Sequence, residues 1–121
     1  MDNDNQVGTL SKNFARRCVY LYRLLCEQRK EYILSKQLLR SGTSIGANIS
    51  ESEYAQSKAD FISKLSIALK EAAETKYWIE LLYDCNYLDE VECESILNDC
   101  LSLIKLLTAI INTLKSSQRI N

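Results

Sequence analysis

Apolar residues recur at three- and four-residue steps through most of this chain, and four separate stripes can be followed. Leu10, Phe14, Cys18, Leu21 and Leu25 form the first, the inner face of an amphipathic helix over residues 9–30. Leu34, Leu38, Gly42, Ile45 and Ile49 form the second, over 35–55, with Ser35 the candidate N-cap although neither Gly nor Pro marks that boundary. Phe61, Leu65, Ala68, Ala72, Ile79 and Leu82 form the third, over 58–84. It is entered through Ser57-Lys-Ala-Asp60, a capping box with Asp in place of the preferred Glu or Gln. The fourth helix, over 90–116, has the best-marked start. Asn86 suits the left-handed end of the preceding helix, Leu88 the hydrophobic staple, Asp89 the N-cap and Glu92 the N3 acid. Residues 1–8 are polar and read as disordered, and 118–121 read as a tail. Short connections between long helices require antiparallel neighbours. The expected fold is therefore all-α, an antiparallel up-down-up-down four-helix bundle forming one domain over residues 9–117.

The fourth stripe is wider than a bundle core requires. Ile96, Leu97, Cys100, Leu101, Leu103, Ile104, Leu106, Leu107, Ile110, Ile111 and Leu114 span roughly 200° of the wheel, where little more than 100° is needed. The surplus favours self-association, because an open Leu/Ile patch is an aggregation liability. The alternative is a helix flanked on both sides within one monomer.

Composition narrows the function classes. The 121 residues include no proline and three glycines, which removes the punctuation of β-rich folds and leaves enough chain for an unstapled core. A net charge of -1 means that contact with a polyanion would need a local basic patch. Five cysteines, Cys18, Cys26, Cys85, Cys93 and Cys100, fall on apolar positions or near a helix end. With no CxxC pair and no histidine they read as free thiols of a reducing compartment rather than disulfides or a zinc site. The acidic N-terminus lacks the apolar segment of a signal peptide, and no run reaches about 18 apolar residues, so the expected location is the cytoplasm. There is no nucleophile paired with a base and no phosphate loop. The expectation is a non-enzymatic protein without cofactor or metal.

Residues 39–51 are rich in Gly, Ser, Thr and Ala, poor choices for a freestanding helix, so packing must hold them. Gly42 lies in the apolar stripe, and Gly46 and Ala47 beside it, where a neighbour can approach closely. Arg40, Ser44, Asn48 and Glu51 share an arc of roughly 80° on the opposite side. The phrase Ser44-Ile-Gly-Ala-Asn-Ile-Ser-Glu51, followed by Ser57-Lys-Ala-Asp-Phe-Ile-Ser-Lys-Leu-Ser-Ile-Ala-Leu-Lys-Glu-Ala72, resembles the four-helix-bundle family of 23S rRNA intervening-sequence proteins, which carries a ribosomal-protein label. It is also similar to the accessory variability determinant proteins of diversity-generating retroelements. The resemblance implies a homopentameric bundle, and for the retroelement proteins association with a reverse transcriptase and nucleic acid. The family usually has Pro at the position of Gly46, Gly at Ser52 and often Ala at Ser50, departures that leave the fold intact.

Lys12, Arg16, Arg23 and Lys30 fall within an arc of roughly 40° with Tyr20 nearby. Between residues 10 and 30 there are six basic residues against Glu27 alone. Such a stripe can neutralise phosphates of RNA or single-stranded DNA without reading sequence, and Tyr20 can stack on an unpaired base. The alternative is a solvated helix face. Arg40, Asn48 and Glu51 read either as a binding surface or as an ion-pair network fixing register between helices or subunits, and the second is favoured. Acids gather around Asp84, Asp89, Glu90, Glu92, Glu94 and Asp99 without the spacing of a calcium loop. Glu71, Glu74 and Glu80 lack the histidine a di-metal carboxylate site requires. Tyr77 and Trp78 read as packing or interface residues rather than a ligand cage.

Overall fold

Four helices follow one another in the structure, a computed structural model that describes residues 2–120 and the side-chain surroundings of residues 6–117. They are α1 (Asp2–Glu27), α2 (Leu34–Ser52), α3 (Lys58–Asp84) and α4 (Glu90–Ile120). Each packs on the next, and α4 closes back on α1 along the sparsest of the four seams. This is the expected all-α four-helix bundle. Expectations for Met1 and Asn121 fall outside the described residues.

The helix ends differ from the sequence reading where chemistry outside the stripes intervenes. α1 starts at Asp2 rather than near residue 9. Val7, only 2% exposed, extends the Phe14–Cys18–Leu25 stripe by two turns, and Ser11 turns inward with it, its hydroxyl donating to the Gly8 carbonyl at 3.0 Å. α1 also ends earlier than residue 30. Lys30 sits in the left-handed region at φ 57°, and its ammonium donates to the Glu27 carbonyl at 2.9 Å, closing the helix instead of prolonging it. At the far end α4 runs on to Ile120, through most of the segment expected to be a tail.

Ser35 is not the N-cap of α2. That helix begins at Leu34, and the capping carboxylate belongs to Glu31, which accepts from the amides of Ile33 (3.1 Å), Leu34 (3.0 Å) and Ser35 (2.6 Å). Ser35 instead lies buried in the helix, its hydroxyl donating to the Glu31 carbonyl. The other starts follow local rules more closely. Ser57 accepts from the Asp60 amide at 3.0 Å, while the Asp60 carboxylate reaches past Ser57 to the Gln56 amide. Asp89 and Glu92 form a reciprocal capping box, each side chain accepting from the other's amide. Asn86 takes the left-handed conformation at φ 67°, and the Tyr87 amide donates to the Leu82 carbonyl at 2.8 Å.

The core runs through Phe14, Cys18 and Leu25, Leu38 and Ile45, Leu65 and Ile79, and Ile96, Leu103 and Leu107. Small residues line its tight points: Gly42 against Cys18, and Thr75 against Ser41 through a buried 2.9 Å hydroxyl contact. Cys100 adds a bond from its thiol to the Ala72 carbonyl. All five cysteines are free thiols, and burial pushes Cys18 and Cys100 up to about 12. Within the wide α4 arc, Ile96, Cys100, Leu103, Leu107, Ile110 and Ile111 are buried, Leu97, Ile104, Leu106 and Leu114 are partly covered, and Leu101 remains 39% exposed. α1 and α3 flank it on two sides. One stretch, Glu90–Ser117, is long and apolar enough to cross a membrane by length and composition, an exception to the sequence expectation; it belongs to this same core helix.

Candidate nucleic-acid interface and the polar face of α2

The basic residues in and just after α1 take different tasks. Arg17 lies at the α1–α4 seam, where it donates to Asp99 (2.7 Å), to the Ser95 carbonyl (3.2 Å) and to the Ser95 hydroxyl (3.0 Å). Arg29, just past the helix, makes a two-pronged pair with Glu92 (2.9 and 2.7 Å) and donates to the Tyr87 carbonyl at 2.6 Å, latching the end of α1 to the α3–α4 turn. The Arg29 hydrogen bonds, with the Asp89 amide, hold the Glu92 carboxyl below the usual range. Lys30 is spent on the helix end and leaves the stripe.

Lys12, Arg16 and Arg23 remain on the outward face, all exposed, with Tyr20 beside them at 63% exposure. Among the described residues none of the three is in an ion pair; Arg16 donates to Asn13 at 2.8 Å. Helical rise separates Lys12 from Arg16 by about 6 Å and Arg16 from Arg23 by about 10 Å. The face is an open row of cations that can meet successive phosphates without breaking an ion pair among the described residues.

The polar residues of α2 are engaged by their own bundle. Arg40 bridges to Glu71 at 3.4 Å and to Glu74, whose carboxylate also accepts from the Trp78 indole at 2.9 Å. The Trp78 bond, with Arg40, holds the Glu74 carboxyl below its ordinary range despite partial burial. Ser44 donates to the Arg40 carbonyl and Asn48 to the Ser44 carbonyl, while Lys64 pairs with Glu51 at 3.2 Å. Far from pointing away from the neighbouring helices, this face borders α3, to which Arg40 and Glu51 are paired, while Ser44 and Asn48 bond to backbone carbonyls of α2 itself. Tyr77 stands edge-on to Trp78 with centroids 5.0 Å apart. Among the acids, Asp99 and Glu92 are paired with arginines and Glu80 with Lys76. Among the described residues no group of three potential ligands is placed to hold a metal ion.

Arg17, Arg29 and Glu31 are structural residues that the apolar stripes do not single out. Arg17 carried a signal, since it borders the apolar stripe one position before Cys18. Arg29 and Glu31 lie where helical phase gives no guidance.

Residues 3–109 match the family described as 23S rRNA-intervening sequence protein. The chain belongs to this family. A solved structure of a protein of unknown function from the S23 ribosomal protein family of Bacteroides thetaiotaomicron is 56% identical, covers 91% of this chain and 98% of its own, and superposes with a TM-score of 0.90. A search of curated protein sequences finds no match. The matched span of the 23S rRNA-intervening sequence family contains the α1 cationic row, the small-residue run of α2, the Arg40–Glu74 network and the Arg29–Glu92 latch.

Proposed function

We propose that this member of the 23S rRNA-intervening sequence family is a non-enzymatic, oligomeric four-helix bundle of the cytoplasm. It binds RNA or single-stranded DNA, or a protein that processes them, through the outward face of α1. One observation carries the reading: Arg17 and Arg29 are tied to Asp99 and Glu92 across the bundle and Lys30 donates to the end of α1, whereas Lys12, Arg16 and Arg23 stand in an exposed row beside Tyr20. Such binding is electrostatic and insensitive to sequence, and repetition of the row around a homopentamer would multiply it. The test is binding of RNA and single-stranded DNA across a salt series, for wild type and for Lys12, Arg16 and Arg23 changed together to Glu. Wild type should bind at low salt with affinity falling steeply as salt rises, and the triple variant should lose it. Equal binding by the two proteins, or none by wild type, removes the reading.

A second reading, a protein-interaction scaffold without polyanion affinity, draws on α4. Leu101 is partly exposed between the half-covered Leu97 and Ile104, an apolar edge suited to another copy or a protein partner. Light scattering at micromolar concentration tests the assembly common to both readings; a strict monomer contradicts it.

A further inference from the structure

The α1–α4 seam opens near the α3–α4 turn into a groove of about 410 Å³, bounded by Arg17, Tyr20 and Leu24 of α1 and Val91, Ser95 and Ile96 of α4. Its walls are mainly aliphatic, and Val91 at the rim is 76% exposed. Two flat groups border it: the Tyr20 ring, and the Arg17 guanidinium held in place by Asp99 and Ser95. Glu92 also lines the groove, but Arg29 neutralises it from the side with a two-pronged pair. Tyr20 sits between Arg16 and Arg23 in the helical sequence, so the groove adjoins the open cationic row.

We propose that this groove takes one unpaired nucleobase of a single strand whose phosphates lie along Lys12, Arg16 and Arg23. The inference rests on the α1 reading above and adds the class of strand. An aliphatic partner has no use for three neighbouring cations, and a purely acidic peptide leaves an apolar groove unfilled. A nucleotide brings both an aromatic face and a nearby anion, matching Tyr20 and Leu24 on one side and Arg16 and Arg23 on the other. The Ser95 hydroxyl accepts from Arg17 and keeps its own proton to donate to a base edge. One hydroxyl gives little discrimination among bases, so recognition is of single-strandedness more than of sequence. A paired base cannot enter, because its face is covered in the stack.

Fluorescence anisotropy tests this with a short oligouridylate, an abasic oligomer of the same length and an RNA duplex, for wild type, Tyr20→Ala, Val91→Glu and the Lys12/Arg16/Arg23 charge reversal. Both groove positions are exposed in the monomer, so these variants leave the core untouched. The base-bearing strand should bind about tenfold more tightly than the abasic one. Tyr20→Ala should remove most of that advantage without changing the salt slope, and Val91→Glu should weaken the base-bearing strand more than the abasic one. The charge reversal should weaken both strands alike. Equal affinity for the two strands, or groove variants that bind like wild type, overturns the base pocket while leaving the cationic row standing. No binding of any strand by wild type overturns both. A drop in molecular mass on Val91→Glu without nucleic acid assigns the groove to a second copy of the chain and overturns the pocket as well.

Discussion

Cys18 fills the space that a side chain at Gly42 would need: a Cβ built on Gly42 lies 3.1 Å from Cys18 Cβ, with the thiol sulfur nearer still. The α1–α2 seam therefore depends on the absence of one methyl group. Gly42→Ala should gain up to about 1 kcal/mol in helix propensity but lose more through overpacking, which costs about 1–3 kcal/mol. Gly42→Leu should be destabilised by at least as much. Gly8 is the control. Nothing lies within 4 Å of a Cβ there, and Gly8→Ala should stabilise by roughly 0.5–1 kcal/mol. Urea unfolding of these variants, together with Cys18→Ala and the Cys18→Ala/Gly42→Ala pair, measures the coupling directly. The double variant should recover much of the Gly42→Ala loss. A Gly42→Ala protein stabilised to the same degree as Gly8→Ala would show that the two helices part at no cost.

Glu31 caps α2 through three amides, and its buried position gives that cap a pH dependence. Burial raises the carboxyl, yet the bonds from Ser35, Leu34 and Ile33 outweigh it and hold the folded-state value below the ordinary 4.5. A depressed folded value means that the stabilisation is complete above the unfolded value and is lost as pH falls through the folded one. Glu31→Gln keeps the shape but turns an amide donor toward backbone donors, at a cost of about 1–2 kcal/mol near neutral pH. The difference in unfolding free energy between wild type and Glu31→Gln should hold steady above about pH 5 and shrink as pH drops below 4.5. A gap that stays constant into acid would mean that the charge on Glu31 contributes nothing.

The features legible in the sequence were those whose partners lie within one helical turn or on one phase. Asp89 with Glu92 and Asn86 before them declare the α3–α4 turn because the bonds close over three to five residues. Lys12, Arg16 and Arg23 follow from helical phase alone, as does the all-α bundle from its four stripes. Glu31 was hidden because it caps from three residues upstream of the first helical residue, with its own backbone outside the helix. Lys30 was hidden because a left-handed lysine has no propensity signature, so the stripe appeared to continue through it. The start of α1 was obscured by polar neighbours around Val7. The groove beside Tyr20 exists only because α4 lies against α1, a contact between residues more than 70 positions apart that no local pattern encodes.

Trp78, the single tryptophan, reports on the α2–α3 network through its bond to Glu74. The Trp78 bond and then Arg40 hold Glu74 below 4.5, so protonating Glu74 in acid takes away the charge that strengthens the indole hydrogen bond and changes the Trp78 emission. Arg40 is about half exposed, and its removal should cost no more than about 1 kcal/mol of stability, as for other solvent-screened pairs. Its effect on the titration should be plainer. Without the guanidinium the carboxylate loses a favourable charge, and the midpoint of the Trp78 emission change should move upward in Arg40→Ala. Glu74→Gln should abolish the transition while leaving the fold in place. A midpoint identical in wild type and Arg40→Ala would show that Arg40 spends its charge elsewhere, on Glu71 or on solvent. That outcome would leave Ser41 with Thr75 and the apolar stripe as the contacts that set the α2–α3 register.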